Sequence, residues 1–157
     1  MSRKRVSSNI IPKHRRRQHP ERTFHAAIIR KLKEAVRRGE LPGNLVIDGR
    51  SEGNIAMNKL IVNKLCGYVV GTPDISILNG SCDGKWKQLN IELKAGMDEP
   101  RQSQVAKLLE LVDYQQFPVV LQSEDDPQQK SDEAVQIVSA YVSGPAEEMY
   151  KYQYNPI

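Results

Sequence analysis

Apolar and polar positions alternate in two rhythms along this chain. In "ERTFHAAIIRKLKEAVRRG", Phe24, Ile28, Leu32 and Val36 recur at every fourth position, the spacing that gathers one face of a helix. Pro20 suits its first turn, and Gly39 lies just past its expected end. After the loop "LPGN", "LVIDG" predicts a short strand and "NIAMNKLIVNKLCG" a second helix closed by Gly67. Two strand patterns then flank "NGSCDGK", where Asp83-Gly84 is a turn signal. "DEPRQSQVAKLLELVDYQQ" predicts a third helix starting at Asp98 or Glu99, with Pro100 in its first turn and Val105, Leu108, Leu109 and Val112 buried. "FPVVL" has the unbroken apolar character of a strand covered on both faces. A last helix restarts at Pro127 and turns Ala134, Ile137, Val138, Tyr141 and Val142 inward. The order α-β-α-β-β-α-β-α predicts one α/β domain, a mixed sheet flanked by helices on both faces. Residues 1–18 read as a basic disordered arm, 19–145 as the domain and 146–157 as a C-terminal tail.

The central hairpin raises a chemical question. Centred on its turn, an antiparallel register makes facing positions add to about 166. Asp74 then lies across from Glu92, and alternation puts Glu92 and Lys94 on the face of Asp74. Ile75, Ile77, Ile91 and Leu93 take the other face, and a slip of one residue would spoil both sets. Two carboxylates this close repel unless a proton or a cation sits between them. Mg²⁺, a hard ion with oxygen ligands, suits such a pair. The competing reading is an ordinary Asp/Lys/Glu cluster on a solvated face.

Charge adds a second element. The net charge of +4 conceals seven Lys/Arg and no acid within residues 1–17, while the remaining 16 basic residues face all 19 acids. The segment "KHRRRQHP", with Lys13, Arg15, Arg16 and Arg17, has the composition that neutralises phosphates by releasing counterions, or that serves as a solubilising or targeting tail. Arg30 and Lys33 extend basic character onto the first helix. No apolar run approaches the roughly 20 residues that cross a bilayer. Cys66 and Cys82 form no metal-ligand cluster and suggest a reducing, intracellular setting.

"GTPD" (71–74), "IELK" (91–94) and a following helix "PRQSQVAKLLELV" (100–112) carrying a glutamine together resemble the VRR-NUC branch of the PD-(D/E)XK nucleases. "PERTFHAAIIRKL" supplies Glu21 where that branch carries a glutamate on its opening helix. The resemblance spans roughly residues 20–122 and implies a restriction-endonuclease-like fold. It further implies that Asp74 and Glu92, with the backbone carbonyl of Leu93, bind Mg²⁺ or Mn²⁺. Glu21 would join them directly or through water. Lys94 would assist the attacking water, and Gln104 would contact Lys94 or a phosphate. The implied activity is metal-dependent hydrolysis of phosphodiester bonds in DNA, above all Holliday junctions or other branched forms, by a homodimer. Two rivals stay open: a non-catalytic nucleic-acid-binding module, and a sequence-specific restriction-type endonuclease.

Other features weigh less. His14, His19 and His25 make no spaced ligand set and read as structural or surface residues. Tyr150, Tyr152 and Tyr154 suit packing against the fold or a second subunit better than stacking on bases. Trp86, near the turn, reads either as an exposed aromatic or as a wedge against nucleic acid.

Overall fold

The computed structural model describes residues 20–49, 73–96, 98–123 and 127–156, with the side chains of 20, 21 and 127–129 left out of the description. The basic arm, the helix expected over 54–67, Gly71, Thr72 and Cys66 lie outside the described residues. The chain forms α1 (Pro20–Arg37), β1 (Ile47–Asp48), β2 (Ile75–Ile77), β3 (Gln88–Ala95), α2 (Gln102–Val112), β4 (Gln116–Ser123), α3 (Pro127–Ser143) and α4 (Ala146–Tyr150). The strands make one mixed sheet in the order β1-β2-β3-β4. β1–β2 and β2–β3 are antiparallel, and β3–β4 is parallel. A parallel neighbour requires a crossover, and α2 provides it.

The sheet's two faces differ because side chains alternate along each strand. Ile75, Ile77, Leu89, Ile91, Leu93, Phe117, Val119 and Leu121 form the first face and meet α1 and α3 in the core. α1 contributes Phe24, Ile28 and Leu32 to that core, as its four-residue rhythm predicts, and Val36 packs at its edge. α3 adds Ala134, Ile137, Val138 and Tyr141, with Val142 partly buried. Burying a Phe, Ile or Leu side chain stabilises by about 1.5–3 kcal/mol, so this one face carries most of the hydrophobic driving force. The second face presents Ser76, Asn90, Glu92 and Lys94, all buried, and α2 lies against it through Gln104.

The structure corrects several expectations about the elements. β1 is only two residues long, shorter than the five-residue run that predicts it. α2 begins at Gln102 rather than at Asp98 or Glu99, because Arg101 is extended and its N–H donates to Gln104 Oε1 (2.8 Å), closing the helix's first turn. The buried line of α2 also differs. Gln104 and Leu108 are buried, Val105 and Val112 are half-buried, and Leu109 is 41% exposed. The helix is rotated toward its amide because that amide has a carboxylate to reach on the sheet.

β4 extends beyond "FPVVL" to eight residues and forms the sheet edge, where Pro118 costs no ladder bond. The segment after α3 packs back on the body. Met149 is buried, Tyr152 lies against the core, and Tyr154 N–H donates to the Pro118 carbonyl (2.8 Å). Trp86 is 4% exposed, neither an exposed aromatic nor a wedge. Its ring meets Phe117 edge-on at 5.1 Å, and its Nε1–H donates to Tyr150 Oη (2.9 Å). Tyr150 Oη in turn donates to Asp83 in the β2–β3 loop.

Candidate functional site

The hairpin register brings the candidate site together. Ile75 pairs with Ile91, Ser76 with Asn90 and Ile77 with Leu89, the register that centring on the turn predicts. One step further toward the open end, Asp74 stands opposite Glu92. Its carboxylate meets that strand at the following residue: Asp74 Oδ2 accepts the Leu93 N–H at 2.8 Å. The Asp74 carboxylate is therefore tethered to the backbone of the strand that carries Glu92 and Lys94. Gly84, at φ +74°, supplies the left-handed residue in the connecting loop that a side chain would strain.

Glu92 is 1% exposed and Lys94 5%, so the reading of a solvated surface cluster does not hold. Lys94 Nζ stands 3.9 Å from Glu92 Oε1. Gln104 Nε2 donates to the same oxygen from α2. Gln104 thus works at both ends of its amide: the oxygen caps the first turn of α2, and the nitrogen holds Glu92. Burying a charge is expensive unless it is paired and hydrogen-bonded, and here an amide donor and an ammonium supply that compensation. The side-chain contact that Gln104 makes here is with Glu92, beside Lys94 and not with it, while the alternative role toward a phosphate belongs to a bound substrate.

His25 is the residue that the sequence reading undervalues. It is buried on α1 at 6% exposure and donates to the Gly49 carbonyl. Burial holds its imidazole below the ordinary histidine range, while the negative field of Asp74 and the Gly49 bond pull it back up. His25 therefore belongs to the electrostatic surroundings of Asp74. The available signal was helical spacing: His25 lies one turn after Glu21, the acid already singled out on α1. The Glu21 backbone opens α1, and its side chain lies outside the described residues, as do Lys13, Arg15, Arg16 and Arg17. Arg30 and Lys33 are exposed on α1.

Asp74, just ahead of β2, and Glu92, on β3, are hard oxygen donors, a pair whose chemistry suits Mg²⁺ or Mn²⁺ with water completing the shell. Among the described residues no group of three His, Cys, Asp or Glu side chains is placed to hold a metal ion. Among the described residues no helix is long and apolar enough to cross a membrane. Comparison with family models, with curated proteins and with solved structures finds no match for this chain.

Proposed function

We propose that this protein is a metal-dependent nuclease of the PD-(D/E)XK type, resembling the VRR-NUC branch, that hydrolyses phosphodiester bonds in branched DNA. The observation that supports it best is the convergence of half-buried Asp74 with buried Glu92, Lys94 and Gln104 on one patch of the sheet's polar face. Asp74 and Glu92 would hold Mg²⁺ or Mn²⁺, with the Leu93 carbonyl and Glu21 as the further ligands of this reading. When bound, such an ion neutralises charge on the phosphate and lowers the pKa of a bound water.

The chain's own groups have separable duties. The Leu93 N–H fixes the orientation of Asp74, and Gln104 fixes that of Glu92. Lys94, beside Glu92, is the group positioned to orient the attacking water and to offset negative charge that grows on the phosphate. The basic arm supplies salt-sensitive, sequence-independent affinity. A homodimer would give two cutting centres for symmetric cleavage of a four-way junction.

The test is a panel of end-labelled four-way junction, flap, duplex and single-stranded DNA with Mg²⁺, Mn²⁺ or EDTA. Asp74→Ala, Glu92→Gln and Lys94→Met are assayed beside the parent protein. Junction cleavage that needs metal and is lost in all three variants supports the reading. Cleavage that survives both EDTA and Asp74→Ala contradicts the metal mechanism. Binding without cutting favours the non-catalytic module, and cutting of plain duplex at one recurring sequence favours a restriction-type enzyme.

A further inference from the structure

A shallow groove of about 410 Å³ runs along the outer face of α1, lined by Arg22, His25, Ile29, Arg30, Lys33 and Gly49. Its position follows from strand register. β1 pairs with β2 through Ile47–Ile77 and Asp48–Ser76, so Gly49, the next residue, falls opposite Ile75, the neighbour of Asp74. The groove thus lies at the β1 edge on the side that α1 covers, and His25 in its wall feels the negative field of Asp74, which puts it within electrostatic reach of the candidate site. The absence of a side chain at Gly49 matters here: a Cβ would come within 2.8 Å of Ile29 Cδ1 and 3.3 Å of His25 Nε2, crowding the groove's inner wall.

Cations on and just after α1 differ in their partners. Lys31 is paired with Asp132 of α3 at 3.1 Å, and Arg38 with Glu34 at 2.5 Å. These charges are already matched inside the protein. Arg30 and Lys33 are exposed, and among the described residues neither has an acidic partner. Arg22, which is engaged within the protein, lies on the same side of the helix, and the stretch from it to Lys33 covers about 16 Å of the axis at 1.5 Å per residue. A nucleic-acid strand carries a phosphate about every 3.4 Å along its axis, so this length faces several successive phosphates.

We infer that the groove along Arg22, Arg30 and Lys33 seats the phosphodiester backbone of one DNA strand immediately to one side of the scissile bond. The identity of the occupant rests on the nuclease reading; the charge pattern and the position within electrostatic reach of Asp74 do not. The contacts are to phosphate, so they position the strand without reading its bases. The mixed lining suits that role: Ile29 and Gly49 give a flat apolar floor for sugars, and the cations stand at the rim.

The test compares Arg30→Gln/Lys33→Gln with the control Lys87→Gln/Lys151→Gln in the full-length protein. Both pairs are exposed, so folding is checked only by matching melting curves. Binding of fluorescein-labelled four-way junction is measured in EDTA at several salt concentrations. Loss of two phosphate contacts should flatten the slope of log affinity against log salt by about 1.8 and weaken binding about tenfold at low salt. A groove variant whose slope matches the control overturns the inference. So does a variant that loses binding to phosphatidylserine vesicles and keeps its affinity for DNA, which would make the groove a lipid site. The two readings fail separately. A flattened slope in a protein that never cuts with Mg²⁺ keeps the groove and removes the nuclease. Cutting with an unchanged slope does the reverse. Neutral methylphosphonate linkages on one side of the cut should weaken the parent protein and leave the groove variant unaffected.

Discussion

Replacing Gln104 isolates the contact that holds the buried Glu92. In Gln104→Ala, the Glu92 carboxylate loses an amide donor and the Arg101 N–H loses its acceptor. A hydrogen bond to a charged group contributes about 1.5–3 kcal/mol. Removing a helix cap costs about 0.5–2 kcal/mol. The expected loss is therefore about 2–5 kcal/mol, a large share of the roughly 5–15 kcal/mol that holds a domain folded. Gln104→Glu is the sharper change, because it keeps the volume and the acceptor for Arg101 and reverses only the group that faces Glu92. Two carboxylates then share a buried position, and one must hold its proton to a raised pKa. The unfolded chain has carboxyls near the ordinary value of about 4.3. Between that value and the raised one the native state binds the extra proton, so stability falls as pH rises and is recovered in acid. The slope approaches about 1.4 kcal/mol per pH unit within that window. Urea unfolding in EDTA, followed through the lone Trp86 buried against Phe117, reads it. If Gln104→Glu parallels the parent protein from pH 5 to 8, Gln104 does not hold Glu92.

Two further outcomes follow from other parts of the structure. The Tyr141 hydroxyl is buried and has no hydrogen-bond partner among the described residues, and burial pushes its phenol pKa up. Tyr141→Phe should therefore be neutral or more stable by up to about 1 kcal/mol in urea unfolding, and a loss beyond that would mean the hydroxyl is satisfied. For His25, the field of Asp74 opposes the lowering caused by burial. Asp74→Asn should lower the metal-free His25 pKa further, as followed by NMR titration of the imidazole proton assigned with His25→Gln, and a rise would remove His25 from the surroundings of Asp74.

The hairpin was legible because its apolar residues fix parity. Only one register buries Ile75, Ile77, Ile91 and Leu93 together, and that register also gathers Asp74, Glu92 and Lys94 on the opposite face. The first helix was legible for a similar reason, since Phe24, Ile28 and Leu32 leave one choice of buried side. Counting apolar residues failed on α2. The stripe through Leu109 looked complete, but a buried amide hydrogen-bonded to a buried carboxylate turns the helix toward Gln104. Such a bond joins residues 12 apart and leaves no periodic trace. Trp86 shows the same limit. Its burial depends on Phe117 and on Tyr150, 64 residues away, which no local pattern near a turn encodes. The burial of Glu92 and Lys94 was likewise hidden, because charge normally marks a solvated surface.

Divalent-ion binding tests the nuclease account at its base. Mn²⁺ is titrated into the metal-free protein, and free ion is read from its paramagnetic resonance signal, for the parent chain, Asp74→Asn, Glu92→Gln and Lys94→Met. The account predicts a saturable site in the parent protein that is lost or strongly weakened in both carboxylate variants and retained in Lys94→Met. Equal Mn²⁺ affinity in the parent and both carboxylate variants would place the metal elsewhere and contradict it.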